Sequence, residues 1–430
     1  MAGPGERRPA QWLRYAATVA PPSPGPGTRP LTVLVALFVV TLALRPQLVG
    51  LGPLLPRVQD ELGVTHGVVG LLTTIPVLCM GIFAPLGPFI ASRFGPRRAL
   101  AACVAGIVGF GLLRTVVPGT LAVVATTVGL GLAMGTAGAL MSIVVKDRAP
   151  TRPALATGVY AAGIVAGSLV AAAVAVPLAL ALGGWRAALG TFAIASIGSL
   201  VGWLVLLSPD APIRAAGRAP TPALPWRSGP AWLLVLVFGI QSLLYYGTIS
   251  WLPDVYIERG WTEASAGSLV AVMHMVGLVI GLAVPWAADR VGTRRGQMVS
   301  VASVALLGFL GVALAPDAAW LWAALIGFGL GAIFPLCLTL PVDMARSPSL
   351  VGALAAFMLL GGYLISGTGP VLLGSVRDAT GNFGASLWLL VGLAASLVAI
   401  CLALTPDRLR HRVDSGPTRP ERVAPDTIAG

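Results

Sequence analysis

Charge is what this sequence has least of. Of its 430 residues only 10% are Asp, Glu, Lys or Arg, while 56% are hydrophobic. A soluble domain carries roughly 25% charged residues, so this chain could not cover a water-facing surface of its size. Lysine is almost missing: Lys146 stands alone among 28 basic residues. Cysteine is scarce, and Cys79, Cys103, Cys337 and Cys401 all fall in apolar runs without C-x-x-C spacing. That excludes a disulfide scaffold or zinc ribbon and leaves small packing residues. Three histidines (His66, His274 and His411) lie scattered, which gives a membrane enzyme no clustered base, nucleophile or metal ligands. The phosphate loop G-x-x-x-x-G-K-[ST] is absent, so ATP-driven transport is excluded. The 54 Gly and 35 Pro do not make a collagen or a disordered chain, because apolar runs dominate.

Those runs number twelve, each near the 20 or so residues that a spanning helix needs. They cover about 31–55, 66–91, 99–117, 120–145, 154–180, 185–207, 230–253, 264–288, 298–315, 318–342, 350–374 and 384–404. The expectation is an all-α integral membrane protein. A disordered tail (1–30) precedes a first half (31–207), a linker (208–229), a second half (230–404) and a C-terminal tail (405–430). With the N-terminus inside, 22 basic residues lie on the cytoplasmic side and five outside, and Arg45 is left within a span. Positive-inside bias then places both termini in the cytoplasm of a cell whose inner membrane holds the chain.

Shifted by 197 residues, the sequence matches itself. Leu55, Pro56, Glu61, Gly63, Thr65, Gly70 and Leu72 meet Leu252, Pro253, Glu258, Gly260, Thr262, Gly267 and Leu269. The register runs without gaps to Arg93, Gly95, Arg97 and Arg98 against Arg290, Gly292, Arg294 and Arg295, with 14 identities in 44 positions. At a shift of 198, Gly183 and Trp185 echo Gly381 and Phe383. Two six-helix halves in parallel orientation follow, an architecture that binds substrate between its halves near the midplane.

The repeated basic loop Asp289-Arg290-Val-Gly292-Thr-Arg294-Arg295 resembles the loop signature of major facilitator transporters. Its first copy has Ser92 for the aspartate, and both copies have Pro (Pro88, Pro285) where the signature prefers Gly. The resemblance implies a cytoplasmic latch in which Arg93, Arg97, Arg98, Arg290, Arg294 and Arg295 meet helix ends and acids such as Asp147, Asp289 and Asp343. A narrower likeness covers most of the chain outside its tails. Ala43-Leu44-Arg45-Pro46 with Gly52-Pro53-Leu54-Leu55-Pro56 resembles the opening of the cyanate permease and 2-nitroimidazole transporter family. So do Gly70 to Leu86 in span 2, Phe238 to Tyr245 in span 7, Gly331 to Leu336 in span 10 and Gly362-Tyr363 with Asp378-Ala-Thr-Gly381 in span 11. Leu44, where many relatives have Asn, and the apolar pair Ala355-Ala356 depart from that pattern, and a different substrate would follow.

Physics singles out Arg45. It lies 14 residues past Leu31, about 21 Å into a core of about 30 Å. A charge there costs roughly 2.5–3.5 kcal/mol on insertion scales, and no acid sits at matching depth in the sequence. Such a guanidinium wants an aqueous cavity, backbone carbonyls or an anionic ligand. Pro46 frees a carbonyl near Leu42, which suits a bent span. In span 7, Gln241 and Tyr245 share a face opposite Arg45, whereas Tyr246, 100° round the helix, is expected to face a neighbour. His274 is the one histidine deep in a span, a candidate substrate ligand or coupling-proton acceptor. Thr73, Thr74 and Tyr363 complete the candidate cavity, and Arg114 is expected to reach the interface. Gly131/Gly135, Gly163/Gly167, Gly277/Gly281 and Gly327/Gly331 have small-xxx-small spacing for close helix approach.

The expected function is secondary transport of a small cyanate-like monoanion or nitroimidazole-like solute by alternating access. A proton or counter-solute is a candidate second ligand, and no cofactor, metal or nucleic acid is expected. The chain is expected to act as a monomer. A multidrug-type efflux carrier of the same fold, and a membrane receptor or sensor without transport, remain open alternatives.

Overall fold

The computed structural model describes residues 30–149, 151–209, 224–288, 294–344 and 348–404. The tails and the middle of the linker fall outside them. Among the described residues eleven helical segments are long and apolar enough to cross a bilayer, and a bent pair of helices makes a twelfth span. All twelve expected spans are there, so Pro30 and Leu404, the first and last described residues, lie on one face of the bundle, called here the terminal face. Leu121, Val205, Val116 and Leu314 stand well exposed on the outside of the bundle. In a bilayer those side chains meet lipid, so their exposure carries no aqueous penalty.

Span 1 is broken. It runs as Pro30–Thr41, Pro46–Val49, a 3-10 turn Gly52–Leu54, and Leu55–Leu62. Pro46 has no amide to continue the ladder to Leu42. Thr41 adds a second disturbance by donating its hydroxyl to the Leu37 carbonyl at 2.8 Å. The break is seated on span 5 (Pro153–Leu182): a methyl at Gly167 would lie 2.5 Å from the Leu42 oxygen. Span 2 bends by 64° between His66–Ile82 and Leu86–Phe94.

Spans 3 to 6 are Pro96–Val116, Thr120–Arg148, Pro153–Leu182 and Trp185–Leu206. The second half holds span 7 (Gly229–Glu258), span 8 (Glu263–Ala288), span 9 (Arg294–Leu314), span 10 (Ala319–Met344), span 11 (Pro348–Thr380) and span 12 (Gly384–Ala403). The small-xxx-small pairs are close approaches of backbone. Gly131 and Gly135 pack on Cys79 and Met80, Gly163 packs on Phe38, and Gly277 faces Gly327 and Gly331.

The repeat has a conformational meaning. Gly63 and Gly260 both take positive φ, at 62° and 86°, and end the first span of each half. Two residues on, Thr65 accepts from the Val68 amide and Thr262 from the Ser265 amide, so each threonine caps the next helix in the same register. Gly183 and Gly381, at 83° and 78°, make the matching turn before spans 6 and 12. The repeated glutamates bind alike as well. Glu61 accepts from Arg186, which lies over the Trp185 ring, and Glu258 accepts from Arg377, which lies over the Phe383 ring.

Arg114 corrects one expectation. It does not reach the interface but is 1% exposed, donating to Gln47 Oε1 at 2.6 Å and to the Gln47 carbonyl at 3.1 Å. Gln47 donates in turn to the Leu189 carbonyl at 3.0 Å. This chain of bonds ties spans 3, 1 and 6 together just beyond the break.

Candidate substrate site

Arg45 occupies the break itself, as the cap of the Pro46–Val49 turn, with φ −122° and ψ −20°. It is half-buried. Its Nη1 donates to the Tyr246 hydroxyl of span 7 at 2.6 Å, and its guanidinium lies 5.9 Å from that ring's centre. No acidic side chain among the described residues pairs with it. Its charge also acts on Tyr245 and on His274, and Tyr363 is a further electrostatic neighbour. Arg45, Tyr245 and Tyr363 each keep part of their surface open, while Tyr246 and His274 are buried at 4% exposure.

Tyr245 and Tyr246 pack edge to face at 5.0 Å. Tyr245 Oη lies 2.8 Å from His274 Nε2, and His274 Nδ1 lies 2.8 Å from the Val270 carbonyl one turn back on span 8. Tyr363 packs edge-on against Phe238 at 5.3 Å. The result is one fixed cation ringed by phenols from spans 7 and 11, with an imidazole behind one of them. Such an arrangement sets neutral hydroxyl groups near a single positive centre, which suits one small anion or a strongly accepting neutral group.

The other candidates sit elsewhere. Gln241 is 2% exposed and donates to the neighbouring Ser242 hydroxyl. Thr73 donates to the Gly70 carbonyl at 3.0 Å and accepts from Ser250 of span 7 at 3.1 Å. Thr74 accepts from the Val371 amide of span 11 at 3.3 Å. Both threonine hydroxyls are thus spent in the seam between the halves. Tyr246 is the residue that sequence reasoning passed over: its neighbour is Arg45. Tyr160 of span 5, an electrostatic neighbour of Tyr363, was passed over too.

The seam is clasped at the face opposite the termini. Asp378 of span 11 reaches across to the start of span 2, accepting from the His66 and Gly67 amides at 3.1 and 2.8 Å. It caps that helix from the other half, where the helix dipole favours a carboxylate. His66 Nδ1 lies 2.8 Å from Asp378 Oδ1, and Nε2 faces Asp254 Oδ2 of span 7 at 3.5 Å. That Asp254 oxygen is buried without a hydrogen-bond partner. Trp251 and Phe383 rings lie 5.5 and 5.8 Å from the imidazole and keep the group dry. Arg57 and Glu263 form a second ion pair across the same seam.

On the terminal face several contacts of the candidate latch residues join neighbouring spans of the same half. Arg294 pairs with Asp343 at 3.1 Å, joining spans 9 and 10. Arg97 donates to the Leu204 carbonyl and its own carbonyl accepts from Trp203, while Arg93 lies over Phe94. Asp147 pairs with the adjacent Arg148 at 2.9 Å. Arg98 and Arg295 stand in the first turns of spans 3 and 9. Asp289 and Arg290 lie outside the described residues. No group of three or more His, Cys, Asp or Glu side chains among the described residues could hold a metal ion.

Comparison with known proteins completes the picture. The profile described as Major Facilitator Superfamily matches residues 32–370. The chain is similar to the 2-nitroimidazole transporter of Escherichia coli (strain K12), 32% identical over 87% of this chain and 95% of that protein. It is 31% identical to the cyanate transport protein CynX of the same organism, over 82% of this chain and 91% of that one. Among solved structures, a D-xylose–proton symporter superposes with TM-score 0.72 at 18% identity, over 87% of this chain and 98% of that chain. The inward-open xylose transporter XylE from E. coli does so with TM-score 0.70 at 15% identity, over 88% and 98%. The last two likenesses concern the fold alone.

Proposed function

This chain belongs to the Major Facilitator Superfamily and is a transporter of small solutes; from that premise we propose that its solute is a small monoanion or nitro compound held at Arg45. The observation that carries the proposal is the guanidinium in the break of span 1, answered by phenols of the other half and by no carboxylate. One positive charge suits one negative charge or a nitro group; a dianion calls for more, and a cation is repelled. The names of the two E. coli relatives, one a cyanate carrier and one a 2-nitroimidazole carrier, fit that chemistry.

Transport proceeds by rocking of the halves about the site. Arg45 belongs to one half and Tyr246 to the other, so a solute bridging them registers the closure of both. The terminal face is taken as cytoplasmic, on the 22-to-5 distribution of basic residues. The clasp of His66, Asp254 and Asp378 then closes the external side.

Labelled cyanate uptake into proteoliposomes tests the proposal, with wild type and Arg45→Ala at matched protein content. Saturable uptake that falls at least a hundredfold in the variant is the expected outcome. Equal uptake by both would return Arg45 to a structural role. Inert wild type with cyanate, but active with 2-nitroimidazole, would select the nitro compound.

A further inference from the structure

The contacts of His274 decide which of its nitrogens carries hydrogen. Nδ1 lies 2.8 Å from the Val270 carbonyl oxygen, and a carbonyl only accepts, so Nδ1 bears the hydrogen of the neutral ring. Nε2 is then a lone pair, and the Tyr245 hydroxyl 2.8 Å away donates to it. Tyr245's hydrogen is occupied, and what it shows the open space is an acceptor. Tyr246 is the reverse. Arg45 donates to its oxygen, which leaves its own hydrogen for a guest. Two adjacent phenols therefore present opposite polarity. An anion has only acceptors to offer, so with a neutral His274 one of the two phenols meets it the wrong way round.

One proton reverses the mismatch. We infer that His274 is the coupling-proton site of the transporter and Tyr245 the relay that makes proton and anion bind together, an inference that rests on the anion-carrier reading above. The incoming proton joins the Tyr245 oxygen as that oxygen's original hydrogen passes to Nε2. The phenol ends with one hydrogen, now turned toward the anion; the ring ends with one more, donated back to the phenol. No other bond changes, and the donor is hydronium, which leaves as water.

Electrostatics make the proton conditional on the anion. Span 8 packs on spans 5, 7 and 10 and on the 3-10 turn of span 1. Span 5 brings Tyr160 and no charge inside its helix, and the turn Gly52–Leu54 brings nothing that titrates. Span 10 brings Cys337 and, at its terminal-face end, Asp343. Span 7 brings Tyr245, Tyr246 and Tyr256, and its acids Asp254 and Glu258 stand at the opposite end of the bundle. Glu263 of span 8 itself is paired with Arg57. Arg45 is the charge that acts on the ring. Burial disfavours an imidazolium and two cations in a dry site repel, so charging the ring costs most while the site is empty. A monoanion between them offsets one charge and lets the ring take its proton. Each ligand then raises the affinity of the other by the same factor.

The first test needs no variant. Potassium cyanate is added to the purified full chain in weakly buffered detergent solution at pH 7.5, with a pH indicator. About one proton taken up per anion bound is expected. In proteoliposomes, an interior-alkaline gradient of one pH unit should drive about tenfold accumulation. His274→Gln keeps an acceptor for Tyr245 but takes no proton, and Tyr245→Phe removes the relay. Whatever cyanate counterflow remains in either variant should be indifferent to the gradient. Wild-type counterflow without proton uptake overturns the coupling site and leaves the anion carrier standing, as does gradient-driven accumulation by His274→Gln. Wild type that exchanges no cyanate overturns the carrier reading and the coupling with it. Should both variants be inactive, the wild-type proton count decides.

Discussion

Two histidines of this chain sit in opposite electrical company. His66 lies at the seam between Asp378 at 2.8 Å and Asp254 at 3.5 Å. His274 lies inside span 8, bonded to a phenol and a backbone carbonyl, with Arg45 as its charged neighbour. The residue type and the depth of burial are alike, at 8% and 4% exposure. What differs is the sign of the surrounding charge. Carboxylates make an imidazolium a bridge between halves, whereas a guanidinium makes it a state reached only with an anion present. One histidine clasps, and the other is the one we propose couples.

The largest expected break in that comparison is His66→Ala. It leaves two carboxylates of the second half, one of them buried, without the imidazole of the first half. Removing one partner of a buried ion pair costs about 3–5 kcal/mol. The Asp378 side chain is 26% exposed, so about 2–3 kcal/mol is expected here, a shift of about thirtyfold to 150-fold toward an open seam. Ser250 is fully buried in the seam, one turn from Asp254, and meets Thr73 of the other half, and the four native cysteines are buried. Thiol labelling of Ser250→Cys therefore reads the opening. With His66 present, labelling should slow as the pH falls, because the imidazolium then bridges Asp254 and Asp378 against the opposing charge of Arg377, and that closure is lost as the pH rises. In His66→Ala only the thiol's own pH dependence, set by its thiolate fraction, should remain. Unchanged labelling would mean that the clasp does not hold the seam.

Tyr246→Phe is the next in size and probes the other side of the comparison. It takes away the hydroxyl on Arg45 and the hydrogen offered to the anion. Losing one hydrogen bond to a charged group costs about 1.5–3 kcal/mol, partly recovered here by water, so a five- to fifteenfold rise in KM for cyanate exchange is expected. A KM within twofold of wild type would place the anion elsewhere. The smallest effect is expected of Arg57→Gln. Its pair with Glu263 is 28% and 34% exposed, and such pairs contribute about 0.5 kcal/mol. Labelling at Ser250→Cys should rise about twofold. A change as large as that of His66→Ala would make the whole seam, and not the histidine, the clasp.

The sequence carried much of the fold and some of the side chains that gather at Arg45. Gly63 and Gly260, matched across 197 residues of sequence, hold the same left-handed turn, and the threonines after them hold the same cap. Those features were legible because turn chemistry is local. Arg45 was legible because a charge in an apolar run is costly wherever the run is folded. Tyr246 was not, since a side chain's facing direction turns by 100° per residue and the rotation of span 7 is set by its packing on other spans. Thr73 and Thr74 looked like cavity residues by depth, yet their hydroxyls are satisfied by Ser250 and the Val371 amide in the seam. His66 looked solitary because its two acids stand 188 and 312 residues away in the chain.

By itself the sequence determined that the chain lives in a membrane, crosses it twelve times, repeats its halves and carries one arginine among apolar residues. Hydropathy, net charge and turn chemistry act over a few residues and add along the chain, so they need no tertiary information. Only the tertiary structure decided that Arg45 meets Tyr246, that Tyr245 spends its hydrogen on His274, and that Asp378 caps span 2 from the other half. Those pairings depend on how helices rotate and cross, and hydrogen bonds are made or lost within a few tenths of an ångström.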